Sequence, residues 1–418
     1  MPVLFDGGLV FDGTGRMLLE HGVMVDGDSI VAVAPSAEFS GHDGLRVDTS
    51  GGTLLPGLID CHVHLVYGGE ADPGAVQGKL TDGQITIKAL ENAQATLAGG
   101  ITAIRDCGGK DYLEFAARDA VNAGRHLGPS IRAVGRMICM TGGHGNRIGR
   151  VADGVEEVIK AVREQIHAGA DLIKIMATGG VMTPGVNPED AHYTAEEIGA
   201  GIAEGKRFNR KSASHAQGSE GILNAVRGGI SSIEHGIFMT DECIEEMLKA
   251  GTYLVPTLAA IGNIMAHPDR GVPDYVIEKA GRVLEVHKES VRRYYQEGGL
   301  IAMGTDAGTP FNLHGANALE LGYMVDIGIL PSDALIISTR NAADLIGLTD
   351  QGTVTPGMKA DLLVVDGNPT ERIALAAEPA NHRLVVKGGI VAHDRENDQV
   401  VDAPAPIGRF ATAASAGF

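Results

Sequence analysis

The chain has 418 residues, 44% of them hydrophobic and 21% charged, which is typical of a globular protein with two or three domains. Its formal net charge of -19 repels nucleic-acid backbones and anionic membrane surfaces. Aromatic residues make up only 4% of the chain and Trp is absent, so neither nucleic acid nor a membrane is an expected partner.

Cysteine usage and the first residues of the chain indicate a reducing compartment. The four cysteines are far apart and form no CxxC pair, so we expect free thiols rather than disulfides. The opening stretch, MPVLFDGGLVFDGTG, has no basic segment followed by an apolar core, and no apolar run reaches membrane-spanning length. The sequence therefore predicts a cytoplasmic protein without a membrane segment.

The two ends of the chain have similar patterns. Residues 1–56 consist of short apolar runs separated by Gly and Asp turns, as in GVMVDGDSIVAVAP. Residues 350–418 contain the similar runs DLLVVDGNP and HRLVVKGGIVAHD, followed by a tail, ATAASAGF, that we expect to be loosely ordered. Because chain ends often lie close in space, we expect both ends to form one small composite β-sandwich domain.

Between these ends, residues 57–349 alternate strand-like runs with amphipathic helix-like stretches such as GVEEVIKAVREQIHAGA. The eight strand-like runs are GLIDCHVHL, GITAIRDCGG, SIRAVGRMI, DLIKIMATGG, KSASHAQG, ISSIEHGI, GTYLVPTLA and GLIAMGTDAG. Eight strand–helix units over roughly 290 residues match a (β/α)8 TIM barrel in size and number, so the predicted fold class is α/β. A doubly wound sheet is the alternative, but no GxGxxG follows the first run.

Polar side chains occur near the C-terminal ends of several of these runs. His62 and His64 are two residues apart, so both point to the same side of the first strand. Other runs contain one such residue each: Lys174 in the fourth, His215 in the fifth, His235 in the sixth and Asp306 in the eighth. TIM-barrel enzymes place their chemistry at this end of the strands, so we expect the six side chains to meet there.

The residue types in this set are those of a metal centre. Imidazole and carboxylate groups bind zinc and similar divalent ions, and three or four protein ligands with an open position define a catalytic site. A single histidine on a strand is more often a hydrogen-bonded core residue, and a lone HxH arises by chance in many proteins. Four histidines and one aspartate at matching strand ends are not explained in that way, so we predict a catalytic metal site.

Several stretches together resemble the amidohydrolase superfamily over nearly the whole chain. They are LLPGLIDCHVHL, IKIMATGGV, SHAQGSEGI, SIEHG, MGTDAG and GMKADLLVVDGNP. The KIMATGG and HAxG…EHG stretches resemble the imidazolonepropionase-related branch, which includes prolidase-like dipeptidases and carboxypeptidases. The resemblance implies a metal-dependent barrel with a small composite β-sandwich.

The resemblance also suggests a role for Lys174. From the residues alone, a charged amine in a buried strand costs free energy unless it is paired, neutralised or chemically changed, and a buried ion pair is one explanation. In similar proteins the lysine of the fourth strand is carboxylated by carbon dioxide. Burial favours the neutral, nucleophilic amine, and the carbamate has two oxygens that can bridge two metals. The resemblance thus implies a carbamate on Lys174 between two divalent ions, which we expect to be zinc.

The other ligands follow from the resemblance position by position. His62, His64 and Asp306 would hold the more buried ion, while His215 and His235 would hold the more exposed one. Asp306 is also a catalytic candidate, since it would take a proton from the attacking water as general base and pass it to the leaving amine as acid.

Three residues are candidates for substrate contacts. His144, in MTGGHGN, would act in catalysis by holding the substrate carbonyl or the tetrahedral oxyanion, with a bond to its own glycine-rich turn as the alternative. Arg147 would pair with a substrate carboxylate unless it is simply a surface arginine, the interpretation we favour. Gln217 stands where prolidase-like relatives often have Tyr, which weakens any transfer of dipeptide specificity. Other histidines in helix-like or loop contexts, such as His126, His167, His267 and His287, are expected to be solvated.

The predicted function is that of a binuclear metal-dependent hydrolase of a small-molecule amide. The expected reaction releases a C-terminal amino acid from dipeptides or N-acyl amino acids. The alternatives are an imidazolonepropionase-like enzyme and a hydrolase of other cyclic or xenobiotic amides or carbamates. Mononuclear relatives need no lysine on the fourth strand, and superfamily deaminases usually have HxxE, whereas Glu220 lies five residues after His215.

Two further expectations concern the state of the protein. A non-catalytic scaffold on the same barrel is disfavoured, because such relatives typically lose metal ligands and all six are present here. The resemblance also implies a homo-oligomer, since similar proteins commonly assemble.

Overall fold

The structure is a computed structural model in which residues 2–396 are described. The tail ATAASAGF, for which the sequence predicts loose order, lies outside the described residues. None of the helices in residues 2–396 is long and apolar enough to cross a membrane.

Strands are concentrated at both ends of the chain and alternate with helices in the middle. In chain order the strands are β1 Val3–Asp6, β2 Leu9–Phe11, β3 Met17–Leu18, β4 His21–Asp26, β5 Ser29–Pro35, β6 Leu45–Asp48, β7 Gly52–Pro56, β8 Leu58–Val63, β9 Ile101–Asp106, β10 Ser130–Ala133, β11 Ile138–Cys139, β12 Arg150–Val151, β13 Ile173–Met176, β14 Ser212–Ala216, β15 Ser232–His235, β16 Tyr253–Val255, β17 Leu362–Asp366, β18 His382–Lys387 and β19 Ile390–Asp394. The α-helices are α1 Pro73–Gln77, α2 Asp82–Ala98, α3 Leu113–Asn122, α4 Gly154–Ala168, α5 Ala195–Arg207, α6 Ser219–Arg227, α7 Asp241–Ala250, α8 Leu258–Ala266, α9 Asp274–Gln296, α10 Glu320–Asp326, α11 Pro331–Ile337, α12 Arg340–Ile346 and α13 Ala374–Ala377.

The two ends of the chain meet in two sheets. One sheet has the order β5-β4-β1-β6, and the other has the order β19-β18-β17-β7-β2-β3. Antiparallel pairing of β17 with β7, with Leu363 opposite Leu55, joins the C-terminal strands to the N-terminal ones. Side chains from both sheets, among them Val25, Leu54 and Leu362, share one buried apolar cluster. This cluster forms because alternate residues of a strand point to the same face of its sheet.

The middle of the chain supplies parallel strands. They form two arcs, with the orders β10-β9-β8 and β12-β11-β13-β14-β15-β16, in which all paired neighbours run parallel. Parallel neighbours need a long crossover connection, and α5, α6 and α7 supply it between successive strands from β13 to β16. The C-terminal ends of these strands therefore lie at the same end of the fold.

The crossover helices bury one face against the strands. Helix α6 buries Ile222, Ala225 and Val226, whose spacing places them on one side of the helix. Helix α2 begins with a capping box, in which the side chains of Thr81 and Gln84 each accept the backbone N–H of the other. The largest apolar core accordingly contains residues from both strands and helices.

The third predicted run, SIRAVGRMI, is not one continuous strand. Strand β10 pairs with β9, whereas β11 pairs with β13 on the other side. Gly135, which lies between them, has a φ of +73°, a left-handed conformation that interrupts an extended strand. The run therefore contributes to both arcs and connects them.

The eighth predicted run, GLIAMGTDAG, is not a regular strand. It forms isolated parallel bridges, Ile301 with Leu254 of β16 and Ala307 with Val63 of β8, and so lies between the free edges of the two arcs. Asp306 has a φ of +64°, which ends the extended conformation near the end of the run. Within residues 2–396, a barrel closed by regular strand pairing is thus not observed. The strand–helix units nevertheless follow one another along the chain in the predicted order.

Candidate metal centre and active site

One cavity of about 380 Å³ opens at the C-terminal ends of the parallel strands. It is lined by all six predicted ligands: His62, His64, Lys174, His215, His235 and Asp306. The imidazole rings lie close together, with centroids 5.2 Å apart for His62 and His235 and 4.6 Å apart for His215 and His235. Residues from five separate runs therefore converge on one site.

The closest approach of possible ligand atoms is around Asp306. Its Oδ1 atom lies 3.2 Å from His64 Nε2 and 3.5 Å from His62 Nε2. Ligand atoms of His62, His235 and Asp306 all lie within 4.8 Å of one another. The Oδ1 atom nonetheless has no hydrogen-bond partner among the described residues. Nitrogen and oxygen atoms that face each other at these distances without a hydrogen bond are placed to surround a cation.

His62 and His64 each have one ring nitrogen in a hydrogen bond outside the cavity. His62 Nδ1 donates to Glu234 Oε2 at 2.8 Å, and His64 Nδ1 donates to the Gly108 carbonyl at 2.7 Å. Because these acceptors fix the proton on Nδ1, the Nε2 atoms that face Asp306 are free to bind a metal.

The other two histidines are also oriented by one engaged ring nitrogen, which is Nε2 in His215 and Nδ1 in His235. His215 Nε2 donates to the Gly179 carbonyl at 2.8 Å, which leaves Nδ1 as the free nitrogen. His235 Nδ1 lies 2.7 Å from Thr257 Oγ1, whose hydroxyl donates to the carbonyl of Pro256. Thr257 can therefore only accept from His235, and Nε2 of His235 is the free nitrogen.

The electrostatics of the cavity favour the ligand form of His62, His215, His235 and Asp306, whereas His64 is shifted towards its charged form. Burial lowers the pKa of His62 and His215 well below the ordinary value, and that of His235 to about 3. Burial also opposes the charged form of His64, but the Asp306 carboxylate outweighs it and raises the pKa of His64. Although burial alone would raise the pKa of Asp306, the neighbouring histidines lower it. Neutral imidazoles and an ionised carboxylate are the forms that bind metals.

Lys174 is the anomalous member of the set. It lies on β13 between Ile173 and Ile175 and is only 2% exposed, and its Nζ has no hydrogen-bond partner in residues 2–396. The buried ion pair that the sequence alone allows is therefore not formed within the described part of the chain. Two unpartnered atoms, Lys174 Nζ and Asp306 Oδ1, thus line the same cavity as the four imidazoles, and this donor set fits a divalent metal centre.

The residues behind the ligands were not predicted from the sequence. Glu234 is fully buried and accepts hydrogen bonds from His62, from Arg105 Nη2 and from Ser232 Oγ. Cys107 also lies close to His62 and Glu234, but the carboxylate is already engaged, so this second group is not free to hold a metal. The signal was present in the sequence, because Arg105 and Glu234 are charged residues inside apolar runs, as Lys174 is.

Asp60 is a second buried carboxylate that was not predicted. It accepts hydrogen bonds from the backbone N–H of His62 and Thr305, from the Thr305 hydroxyl and from the Asn317 side chain. Burial raises the pKa of Asp60 to about 6 in spite of these donors. Its bonds fix β8 to the eighth run and so position His62 relative to Asp306.

The predicted substrate contacts also line the cavity. His144 Nδ1 lies 2.7 Å from Thr183 Oγ1, so the alternative bond to its own glycine-rich turn is not observed. Burial lowers the pKa of His144 to about 3. Gln217 is buried and its Oε1 has no partner among the described residues, whereas Arg147 is exposed. All three side chains border the space that a substrate would occupy.

The expectation that His287 is solvated is wrong. It is 1% exposed, and its Nε2 lies 3.0 Å from the carbonyl of His235. The periodicity of α9 could have revealed this, because His287 is four residues from both Val283 and Val291 on the buried face. His126 and His167 are exposed, as expected, and His267 is half-buried against an aromatic ring.

Comparison with known proteins identifies the family to which the chain belongs. The chain belongs to the amidohydrolase family, which matches residues 53–391. It is 32% identical over 421 residues to the ochratoxinase of Aspergillus niger, covering 91% of this chain and 85% of that protein. A solved Xaa-Pro dipeptidase with methionine bound in its active site superposes with a TM-score of 0.86 at 33% identity, covering 94% of this chain and 99% of the other.

A second solved structure is similar to the same extent. A prolidase complexed with N-methylphosphonate-L-proline superposes with a TM-score of 0.84 at 31% identity, covering 94% of this chain and 99% of that one. The fold is therefore the α/β fold of amidohydrolase structures, of the TIM-barrel type. The protein is a hydrolase that acts on amide bonds, in a family that generally uses a metal centre.

Proposed function

We propose that the protein is a binuclear metal-dependent amide hydrolase that releases a C-terminal amino acid from dipeptides or N-acyl amino acids. The observation that carries the proposal is Lys174, a buried amine without a partner that lines one cavity with four imidazoles and a carboxylate. The similarity to an Xaa-Pro dipeptidase and a prolidase supports this substrate class.

Carboxylation of Lys174 accounts for its isolation. The neutral Nζ attacks carbon dioxide, an N–C bond forms as one C=O π bond opens, the nitrogen passes one proton to water, and an anionic carbamate results. Its two oxygens match two divalent ions, which we propose to be zinc, and the opposite charges offset the free energy of burying the anion. A buried, unpaired ammonium at the same place would have no such compensation.

The ligands divide into two groups. His62, His64 and Asp306 would hold the more buried ion, which is supported by the approach of both Nε2 atoms to Asp306 Oδ1. His215 and His235 would hold the other, which is supported by their adjacent rings and free nitrogens. When bound, the two ions supply an acidified water and polarise the amide carbonyl.

Two residues of the chain move or hold protons in this proposal. Asp306 is ionised, so the carboxylate oxygen that does not hold the ion takes the proton of the attacking water and delivers it to the leaving nitrogen. In this proposal the Thr183 hydroxyl, 2.7 Å from His144 Nδ1, donates to that nitrogen, so the proton of the neutral imidazole is on Nε2. His144 Nε2–H then donates to the oxygen on which negative charge develops.

The remaining walls of the cavity fit a small apolar substrate with one carboxylate. The lining of the cavity is largely apolar, with Met137, Val181 and Ile261 among its members. Arg147, which is exposed and lines the same cavity, would pair with the substrate carboxylate, and the Gln217 amide, which also lines it, would contact the substrate. The volume of about 380 Å³ suits a dipeptide-sized molecule.

The second candidate function is hydrolysis of a cyclic or xenobiotic amide or carbamate, or an imidazolonepropionase-like reaction, at the same centre. The similarity to an ochratoxinase, which extends over 91% of this chain, favours this second function. The presence of Gln217, rather than the Tyr expected of prolidase-like proteins, also allows a different substrate.

Metal removal and a substrate panel test the proposal together. We expect a chelator to abolish hydrolysis of dipeptides and N-acyl amino acids, and about two equivalents of zinc per chain to restore it. Lactams and carbamates assayed in parallel distinguish the second candidate function. Fully active protein with less than one ion per chain would contradict the binuclear centre, and turnover of lactams or carbamates alone would contradict the proposed substrate class.

A further inference from the structure

An ion pair between β9 and β15 lies directly behind the candidate metal ligands. Arg105 is 1% exposed and Glu234 is 0% exposed. Arg105 Nη2 donates to both carboxylate oxygens of Glu234, each at 2.8 Å. An ion pair this deeply buried gives little net stability compared with apolar side chains, so stability alone does not explain it.

The hydrogen bonds of the pair leave its geometry little freedom. Arg105 Nε donates to the carbonyl of Cys61, and Nη1 donates to Ser232 Oγ at 3.0 Å. The hydroxyl of Ser232 in turn donates to Glu234 Oε1 at 2.6 Å. The guanidinium thus connects the backbone of β8 to two side chains of β15, and the carboxylate is held from several sides.

The fourth bond of the carboxylate goes to a metal ligand. Glu234 Oε2 accepts from His62 Nδ1 at 2.8 Å. In the described part of the chain, the acceptors of the other three ligand histidines are neutral: the Gly108 and Gly179 carbonyls and the Thr257 hydroxyl. A carboxylate behind a histidine fixes the tautomer and makes the imidazole a stronger ligand.

We propose that Arg105 and Glu234 form a positioning pair that fixes His62 and sets the metal affinity of the more buried position. This inference rests on the proposed binuclear centre. Glu234 orients His62 directly, and Arg105 acts through Glu234. Without Arg105 the carboxylate would keep only the Ser232 and His62 donors, and its orientation relative to His62 would no longer be fixed.

The shape of the guanidinium matters as well as its charge. Arginine presents several N–H groups in a planar arrangement, whereas a lysine ammonium is a compact charge on a flexible stem. Lysine at position 105 would keep the charge but could not reach Glu234, Ser232 and the β8 carbonyl together.

Zinc titration of the metal-free full-length chain tests the pair without any substrate. Competition with a chromophoric chelator gives the affinity of each position in the wild type, Arg105→Met and Arg105→Lys. We expect two tight positions in the wild type. In Arg105→Met one of them should weaken roughly 10- to 100-fold while the other changes little, and Arg105→Lys should be intermediate.

A second variant of the pair gives an independent measurement. Glu234→Gln keeps the shape of the side chain but removes its charge, and it should weaken the same position as Arg105→Met. Because both residues act through His62, the double variant should lose less affinity than the product of the two single losses.

A matched control separates positioning from general destabilisation. Lys387→Met also removes the cation of a buried ion pair, Lys387 with Asp361 at 2.7 Å, but this pair does not contact the ligands. Zinc affinity should be unchanged in it. The inference is overturned if the Arg105 variants bind zinc like the wild type, if both positions weaken equally, or if Lys387→Met loses the same affinity. A wild type that binds fewer than two zinc ions would overturn the proposed function and this inference with it.

Discussion

At the scale of single residues, the sequence predicts the type of each candidate ligand but not its orientation. Polar residues stand out in apolar strands, which is how His215 and His235 were identified. Which nitrogen of each faces the cavity depends on Gly179 and Thr257, which belong to other segments of the chain. These acceptors have ordinary sequence contexts, so only the folded structure shows that His215 presents Nδ1 and His235 presents Nε2.

Replacement of Lys174 tests the carbamate directly. We expect Lys174→Ala to lower amide hydrolysis by more than about 100-fold, since the proposed carbamate binds the ions directly and its loss should cost more than loss of a residue that only supports a ligand. Formate, acetate or propionate should restore part of the activity, because a small carboxylate can occupy the space of the missing carbamate. The measurement is kcat/KM against carboxylate concentration, and unchanged turnover in the variant would exclude the carbamate role.

His144→Asn is the matched control for this rescue. The proposal places His144 at the substrate oxygen and not at a metal, so this variant should keep about two ions per chain and still lose activity. Added carboxylates should give it no recovery. Recovery in both variants would show that carboxylates act on the protein generally.

At the scale of elements, side chains of helix α9 fix the position of one wall of the cavity. Lys279 donates to the carbonyls of Thr183 and Val186, at 2.8 and 2.6 Å, and Tyr275 donates to the carbonyl of Met182. Residues 180–186 thereby have a fixed path, although they contain no regular secondary structure. The same segment supplies Thr183, the hydrogen-bond partner of His144.

Lys279→Met should therefore affect substrate binding more than metal binding. Loss of charge-assisted hydrogen bonds, each worth about 1.5–3 kcal/mol, would free residues 180–186 and loosen the wall. We expect KM to rise about tenfold, equivalent to about 1.4 kcal/mol, with metal content unchanged and a smaller effect on kcat. Steady-state kinetics with parallel metal analysis would measure this.

Arg282→Met on the same helix is the comparison for this variant. Arg282 pairs with Glu189 at 2.9 Å, but both side chains are exposed, and such pairs contribute little. Its KM should match that of the wild type. A KM for Lys279→Met that is also unchanged, or a loss of metal from it, would rule out the assigned role of α9.

At the scale of the whole molecule, the order of strand–helix units was predictable because each parallel strand and each amphipathic helix has its own periodicity. The seven runs from GLIDCHVHL to GTYLVPTLA all contain strands. The prediction of continuous strands was wrong for the third and eighth runs, which left-handed backbone conformations interrupt at Gly135 and Asp306. An apolar run predicts burial, but it does not reveal such local backbone conformations.

The arrangement of the chain ends was only partly open to sequence reasoning. Similar strand patterns at both ends suggested that they meet, and β17 does pair with β7. The division into domains at residues 56 and 350 and the homo-oligomer stay predictions. The contact of the terminal sheets with the middle of the chain depends on single polar residues, such as Lys387 and Ser130, for which the sequence has no periodic signal.

The buried ion pair at Lys387 makes a prediction about this contact. Lys387, at the end of β18, donates to Asp361 Oδ2 and to Ser130 Oγ of β10, each at 2.7 Å, and so ties the terminal sheet to the parallel strands. Lys387→Met leaves the Asp361 carboxylate buried without its cation, which should cost about 3–5 kcal/mol. The double variant with Asp361→Asn should recover part of this, because no charge is left unpaired and the amide oxygen can still accept the Gly388 N–H.

Lys359→Met provides the contrast, since it breaks a partly exposed pair with Asp350 near the same contact and should cost less than about 1 kcal/mol. The midpoint of urea unfolding measures all four proteins. If Lys387→Met shifts the midpoint no more than Lys359→Met does, the buried pair does not hold the sheet in place. If Lys387→Met and the double variant have the same urea midpoint, the loss of stability comes from the missing lysine contacts and not from the unpaired carboxylate. The predicted order, with the double variant between Lys387→Met and the wild type, follows only if an unpaired buried charge is the dominant penalty.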